Sequence, residues 1–196
     1  MNKIVLFTLL ISTSGLFAQQ NKNDINLIKK YNKALSKYNK QHDSLNNPAN
    51  YYCERARLRN EYFDPEGAIT DYSKVLSINP DDIDALYKRG LAKLDLSLLK
   101  QAVADFDKVI NLDPKHVFAY NNRGMCKDFM LNFTGAIRDY SAAIELDTRF
   151  AEAYNNRGIS KIKMGLNNDG CEDLQTALRL GDKKSELNIK KLCDKR

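Results

Sequence analysis

The feature that most constrains this chain is a period of 34 residues. The hexapeptide AYNNRG occurs at 119–124 and again at 153–158, and sliding the chain against itself by 34 brings whole rows into register. Four units start at Ala49, Ile83, Val117 and Ala151. One row holds Arg55, Arg89, Arg123 and Arg157, followed at once by the small residues Ala56, Gly90, Gly124 and Gly158. A second block starts at Ala68, Ala102, Ala136 and Gly170 and reaches Tyr72, Phe106, Tyr140 and Leu174. Each of those four is preceded by an Asp: Asp71, Asp105, Asp139 and Asp173. A fixed period of this size marks a stacked array, in which a unit too small to bury its own apolar face buries it against its neighbours.

Within a unit the apolar residues recur at three and four rather than two, so each unit is a pair of amphipathic helices. In the first copy the spacing predicts helices over 50–62 and 66–77. Breakers fall between them at Asp64-Pro65, at Asn132, and at Gly165, Asn167, Asn168 and Gly170. Asn79-Pro80 and Asp113-Pro114 separate one unit from the next, because Pro starts a helix well but cannot continue one.

With these rows in place the chain resembles the tetratricopeptide repeat, whose 34-residue pattern carries a small residue in the first helix, an A-x3-aromatic pair in the second and a closing Pro. The resemblance covers 49–184 as four repeats, 49–82, 83–116, 117–150 and 151–184. It implies an all-α fold, a right-handed α-solenoid with a capping helix at either end. The departures are specific. Tyr or Leu stands for the Trp of the pattern, Arg for its Leu, and Arg59, Lys93, Lys127 and Lys161 for its Tyr. The fourth unit is atypical, with Gly170, Leu174 and Asp182 at the places of Ala, aromatic and Pro.

An Arg facing a packed helix needs a partner, since an unpaired buried charge is costly. The Asp row supplies one, and structural ion pairs are expected for Arg55 and Asp71, Arg89 and Asp105, Arg123 and Asp139, and Arg157 and Asp173. Each Asp can reach the Arg of its own hairpin or that of the next unit, and the residues alone leave both open. The small row beside the Arg row lets two helices approach closely. Most of AYNNRG is therefore packing chemistry, with Asn121 and Asn155 left as candidates for contact with a ligand.

Residues 1–18, MNKIVLFTLLISTSGLFA, join Lys3 to an apolar run too short to span a bilayer and end on a small residue, the layout of a signal peptide. Cleavage is expected after Ala18, although Leu16 is larger than such sites prefer. The mature chain is thus expected in the periplasm or outside the cell, as an exported member of the family of bacterial type. Residues 19–48 then form a basic N-terminal capping helix and linker, with Ile25, Ile28, Tyr31, Leu35 and Tyr38 at helical spacing over 24–42. Ala34 and Tyr38 repeat the A-x3-aromatic pair one period early. Residues 185–196 form the C-terminal cap. In an oxidising compartment Cys171 and Cys193 are the pair best placed for a disulfide, because the cap should pack on the last repeat. Cys53 and Cys126 lie two repeats apart, too far to bridge.

The net charge of +6 sits at the ends. Residues 19–48 carry six Lys against Asp24 and Asp43, and residues 183–196 carry five Lys and Arg196 against Glu186 and Asp194. Setting Lys3 aside, the body is left at −3. Nucleic acid is therefore not the expected partner, although a peripheral membrane contact through the basic ends stays open. The chain has no nucleotide-binding or metallohydrolase motif, no CxxC, and two isolated histidines, His42 and His116, so neither enzyme chemistry nor a cofactor nor a metal is expected.

What the resemblance implies instead is a scaffold that binds a protein or peptide on its concave face, chiefly through the first helix of each unit. Carried over residue by residue, the groove is Arg57, Tyr87, Leu91, Asp95, Phe118, Asn121, Met125, Asp128, Asn155 and Ile159. Leu91, Met125 and Ile159 would form an apolar floor, although the same residues could simply pack between helices. The carboxylate clamp of chaperone-binding relatives is incomplete, because Cys53, Arg57, Asp84, Phe118 and Glu152 occupy its places. The rival reading is a protein whose basic termini contact anionic membrane, glycan or nucleic acid.

Overall fold

The computed structural model describes residues 15–41 and 46–193. The chain divides into two compact units, Met1–Asn46 and Asn47–Arg196. The first contains α1 (Gly15–Gln41), which begins well before the expected residue 24 because no Gly or Pro interrupts the sequence from 16 to 41. Tyr31, Ala34, Leu35 and Tyr38 are half-buried along one side of it. Residues 1–14, most of the expected signal peptide, lie outside the described residues.

The second unit is a row of helical hairpins: α2 (Pro48–Glu61) with α3 (Pro65–Ile78), α4 (Ile83–Asp95) with α5 (Leu99–Leu112), α6 (Val117–Phe129) with α7 (Phe133–Leu146), and α8 (Ala151–Lys163) with α9 (Asn167–Arg179). Each second helix also packs on the first helix of the next hairpin, and first helices touch one another directly, α4 on α6 and α6 on α8. This is an all-α solenoid of tetratricopeptide type. Among the described residues no helix is long and apolar enough to cross a membrane.

The aromatic row is the core of each hairpin. Tyr72, Phe106, Tyr140 and Leu174 are all but fully buried, and they sit against the small row. A Cβ on Gly90 would lie 2.8 Å from Phe106 Cε1, and one on Gly124 2.7 Å from Tyr140 Cε1. In the fourth hairpin, where Gly170 stands in place of Ala, a Cβ on Gly158 would meet the Gly170 carbonyl at 2.7 Å.

The turn inside each hairpin has one geometry. The amide after the turn residue reaches back to the preceding helix, as in Asp64 N to Arg59 O at 2.9 Å and Asn132 N to Lys127 O at 2.8 Å. Such an ending needs one left-handed residue, ordinarily Gly. Only the fourth turn supplies it, with Gly165 at φ 84°; the others place Phe63, Ser97 and Leu131 at φ 60°, 59° and 61°. A left-handed L-residue costs about 1–2 kcal/mol. The next position is the N-cap of the second helix. Asp64 and Asn132 fill it with a side-chain hydrogen bond, whereas Leu98 and Leu166 do not. Losing a polar cap costs about 1 kcal/mol.

The C-terminal helix α10 (Lys184–Leu192) packs on α9 and touches α8, as α8 itself packs on α7 and touches α6. It therefore occupies the place of a fifth first helix. Residues 194–196 of the expected cap lie outside the described residues. Cys171, in the second turn of α9, is bonded to Cys193 just beyond α10, with Cα atoms 5.9 Å apart and a sequence separation of 22. The same offset separates Ile69 from Leu91, Val103 from Met125 and Ile137 from Ile159. The bridge thus takes the register position that aliphatic pairs hold in the other units.

Candidate functional site

The Arg and Asp rows meet inside each hairpin. Arg55, Arg89, Arg123 and Arg157 each donate through Nε and Nη2 to both oxygens of the Asp sixteen residues on, at 2.6–2.9 Å. This is the fork geometry that suits a guanidinium to a carboxylate. The alternative, an Asp reaching forward to the next unit, does not occur in these four pairs. Instead the free Nη1 reaches backward to the preceding second helix, to Ser73 Oγ from Arg89, Asp107 from Arg123 and Ser141 Oγ from Arg157. One side chain thereby fixes both the hairpin and its neighbour.

Each Asp holds a second cation as well. Lys93, Lys127 and Lys161 lie 2.7, 2.7 and 2.8 Å from Asp105, Asp139 and Asp173. Arg59 Nε lies 3.1 Å from Asp71 Oδ2, an ion pair without the alignment of a hydrogen bond. The Asp side chains are 0–8% exposed. Burial alone would weaken the charge on Arg123, yet its hydrogen bonds to Asp139 and Asp107 win and its pKa is raised. These clusters are framework, each built on a buried carboxylate held by two cations.

The asparagines form a ladder across the first helices. Asn122 Nδ2 donates to Tyr87 Oη at 3.0 Å, and Asn156 Nδ2 donates to Asn121 Oδ1 at 3.2 Å. Asn155 Oδ1 accepts from Asn188 Nδ2 of α10 at 2.8 Å and lies 3.1 Å from Ser185 Oγ. Asn121 also donates to Glu152 at 3.3 Å. Asn121 and Asn155 are only 2% and 8% exposed. As open groove residues they are therefore corrected: both are inter-repeat links, Asn121 covered by the next unit and Asn155 by α10.

The other expected groove positions divide. Tyr87 is half-buried, its hydroxyl committed to Asn122, and burial pushes its pKa up. Leu91, Met125 and Ile159 are half-buried, with Leu91 packed against the core cluster, so the row works between helices at least as much as on a surface. Asp128 accepts from Lys163 at 2.9 Å and Ser160 at 3.2 Å. Asp95 is exposed. Arg57 is half-exposed, paired to Glu54 at 2.7 Å and near Asp84 at 3.6 Å, and Lys88 meets Asp84 at 2.6 Å.

Phe118 stands apart. It is 56% exposed and lies within a run of rings: Tyr87 and His116 at 4.8 Å, His116 and Phe118 at 6.5 Å, Phe118 and Phe150 at 5.4 Å. His116 is held in place because its Nδ1 accepts from Ala119 N at 3.1 Å and caps α6. The exposed carboxylates Asp84 and Glu152 occupy the same first-helix position as Phe118 in the units on either side. Chemically this face offers an aromatic platform with a carboxylate on either side, Asp84 shared with Lys88 and Arg57 and Glu152 held by Asn121.

Sequence reasoning missed Asn122 and Asn156, and it read the basic row only as standing for Tyr, not as a second partner for Asp. The Lys signal was present, since a basic residue follows each Arg by four, one helical turn on. Of the remaining thiols Cys126 is buried and Cys53 half-buried; burial raises the pKa of Cys53 and pushes Cys126 up to about 11.

Two family profiles match the chain, one described as TPR repeat over residues 64–97 and one as tetratricopeptide repeat over 83–116. Among solved structures, a crystal structure of MamA is 21% identical with a TM-score of 0.71, over 90% of this chain and 99% of that one. YrrB, described as a TPR protein with an unusual peptide-binding site, is 22% identical with a TM-score of 0.71, over 87% and 88%. The first TPR domain of Spaghetti (RPAP3), bound to the HSP90 peptide SRMEEVD, is 19% identical with a TM-score of 0.54, over 56% and 89%. No curated protein matches.

Proposed function

Taking a tetratricopeptide-repeat solenoid as the premise, we propose that this chain is a non-enzymatic scaffold that binds a peptide or protein segment across its first helices. The observation that carries this is Phe118, a large ring left 56% exposed on a ring-stacked support between Asp84 and Glu152. An exposed aromatic on a rigid element is the kind of anchor that dominates interface energies. Glu152, held by the amide of Asn121 rather than by a cation, favours a segment presenting apolar and basic groups. The peptide-binding neighbours support the class of function, through fold alone.

Export to an oxidising compartment belongs to the same proposal, supported by the pattern of residues 1–18 and by the Cys171–Cys193 bond. Finding the untagged protein in the cytoplasmic fraction would overturn it.

A crosslinking pull-down with residues 19–196 tests the binding surface. Capture should survive about 0.5 M salt, where exposed charge contacts are largely screened, and fall with Phe118→Ala. Capture that vanishes with salt and ignores Phe118→Ala would place binding at the basic termini instead.

A further inference from the structure

The turn edge of the solenoid exposes one apolar side chain in every hairpin, and each exposure opposes the local backbone chemistry. Phe63 and Leu131 are 79% and 74% exposed in left-handed positions that favour Gly. Leu98 and Leu166 are 39% and 47% exposed at N-caps that favour Asp or Asn. The two positions alternate strictly: where the turn residue is large the cap is polar, and where the turn residue is Ser97 or Gly165 the cap is Leu. The large turn residues gain little burial in exchange, and the cap leucines stay more than a third exposed. Phe129 and Met164 extend the same edge, 64% and 44% exposed.

The turns are neighbours in space. A shallow depression of about 320 Å3 is lined by Ser97, Leu98, Leu99, Lys100 and Gln101 of the second turn and Met130 of the third. Thr134 of the third hairpin lies 3.8 Å from Met164 of the fourth. Four exposed carboxylates, Glu61, Glu66, Asp95 and Asp169, accompany the apolar row. Against them stand Lys100 and Lys163, the latter held by Asp128. Apolar residues at repeat spacing with acidic neighbours match one kind of surface, a helix with an apolar stripe and basic flanks.

We propose that the intra-hairpin turn edge is a second docking surface, distinct from the first-helix face, for a cationic amphipathic helix of a partner protein. Phe63, Leu98, Leu131 and Leu166 supply the apolar contacts, and Glu61 and Asp95 attract the basic flanks.

The test uses the whole mature chain and a synthetic peptide of roughly 18 residues with Leu along one helical face and Lys along the other. The wild type should bind it, and Phe63→Gly with Leu131→Gly should weaken binding by about tenfold or more. The same double variant should unfold at an equal or higher denaturant midpoint, since Gly relieves both turns; that separates docking from a structural role. Phe118→Ala should leave this binding unchanged, and a loss there as large as in the double Gly variant overturns the proposal, because the peptide then sits on the first-helix face. The proposal is overturned if the double Gly variant binds equally well, if its midpoint falls clearly, or if a matched peptide with Glu for Lys binds as tightly. It is equally overturned if neutral phosphatidylcholine vesicles sediment the wild type but not the double variant, because the edge then meets lipid.

Discussion

Asp139 is held between Arg123 and Lys127, so the two sides of that pair are not equivalent. Removing the carboxylate leaves Lys127 without its counter-charge and Arg123 with Asp107 alone, whereas removing the guanidinium leaves Lys127 to neutralise Asp139. Asp139→Ala should therefore cost about 3–5 kcal/mol and Arg123→Met distinctly less, measured by denaturant unfolding, with clear coupling in the double-mutant cycle. The rows themselves were legible in the sequence, but the choice of partner was not. Offsets of 16 and 18 differ by two residues, about half a helical turn, so the packing of two helices decides between them. The Lys row was visible too, yet it read as a replacement for Tyr rather than as a second partner for Asp. Asn121 was misread for a related reason: amphipathic spacing places it away from its own hairpin's core, and only the next unit's Asn156 shows that this side is covered.

At the scale of elements, α10 is short and weakly anchored. Ser185 is its buried residue, Leu187 and Leu192 are 54% and 42% exposed, and its polar ties converge on Asn155. The Cys171–Cys193 bond accordingly does more for this helix than packing does. Replacing both cysteines with Ala should destabilise the last hairpin by about 3 kcal/mol in the chain-entropy account of a 22-residue loop. Hydrogen exchange should quicken in α10 and α9 while α2 to α5 keep their protection, because a solenoid transmits stability only between neighbours. Helix pairs and their boundaries were readable from spacing and breakers to within a residue or two. The turn conformations were not, since Phe63 and Leu131 carry no local sign of a left-handed backbone.

Across the whole molecule, the core holds groups that titrate only at high pH. Burial raises the pKa of Cys126 to about 11 and raises those of Tyr72 and Tyr140 as well. The unfolded chain releases these protons at lower pH than the folded one, so their contribution is intact below about pH 9 and is lost as pH rises toward 11. Unfolding midpoints should decline over that window, and Cys126→Ala should flatten the early part of the decline. Repetition made the architecture legible because each feature was seen four times. The open surface was the hard part, because Phe118 and the turn residues break the repeat rather than follow it. The closure of each Arg–Asp–Lys cluster within one hairpin bears also on how such a chain can lengthen. A hairpin that carries both its buried Asp and the Arg that forks onto it keeps that pairing when it is duplicated or lost, so copying errors at this period yield foldable offspring. Novelty can then accumulate at the few exposed positions, one copy at a time.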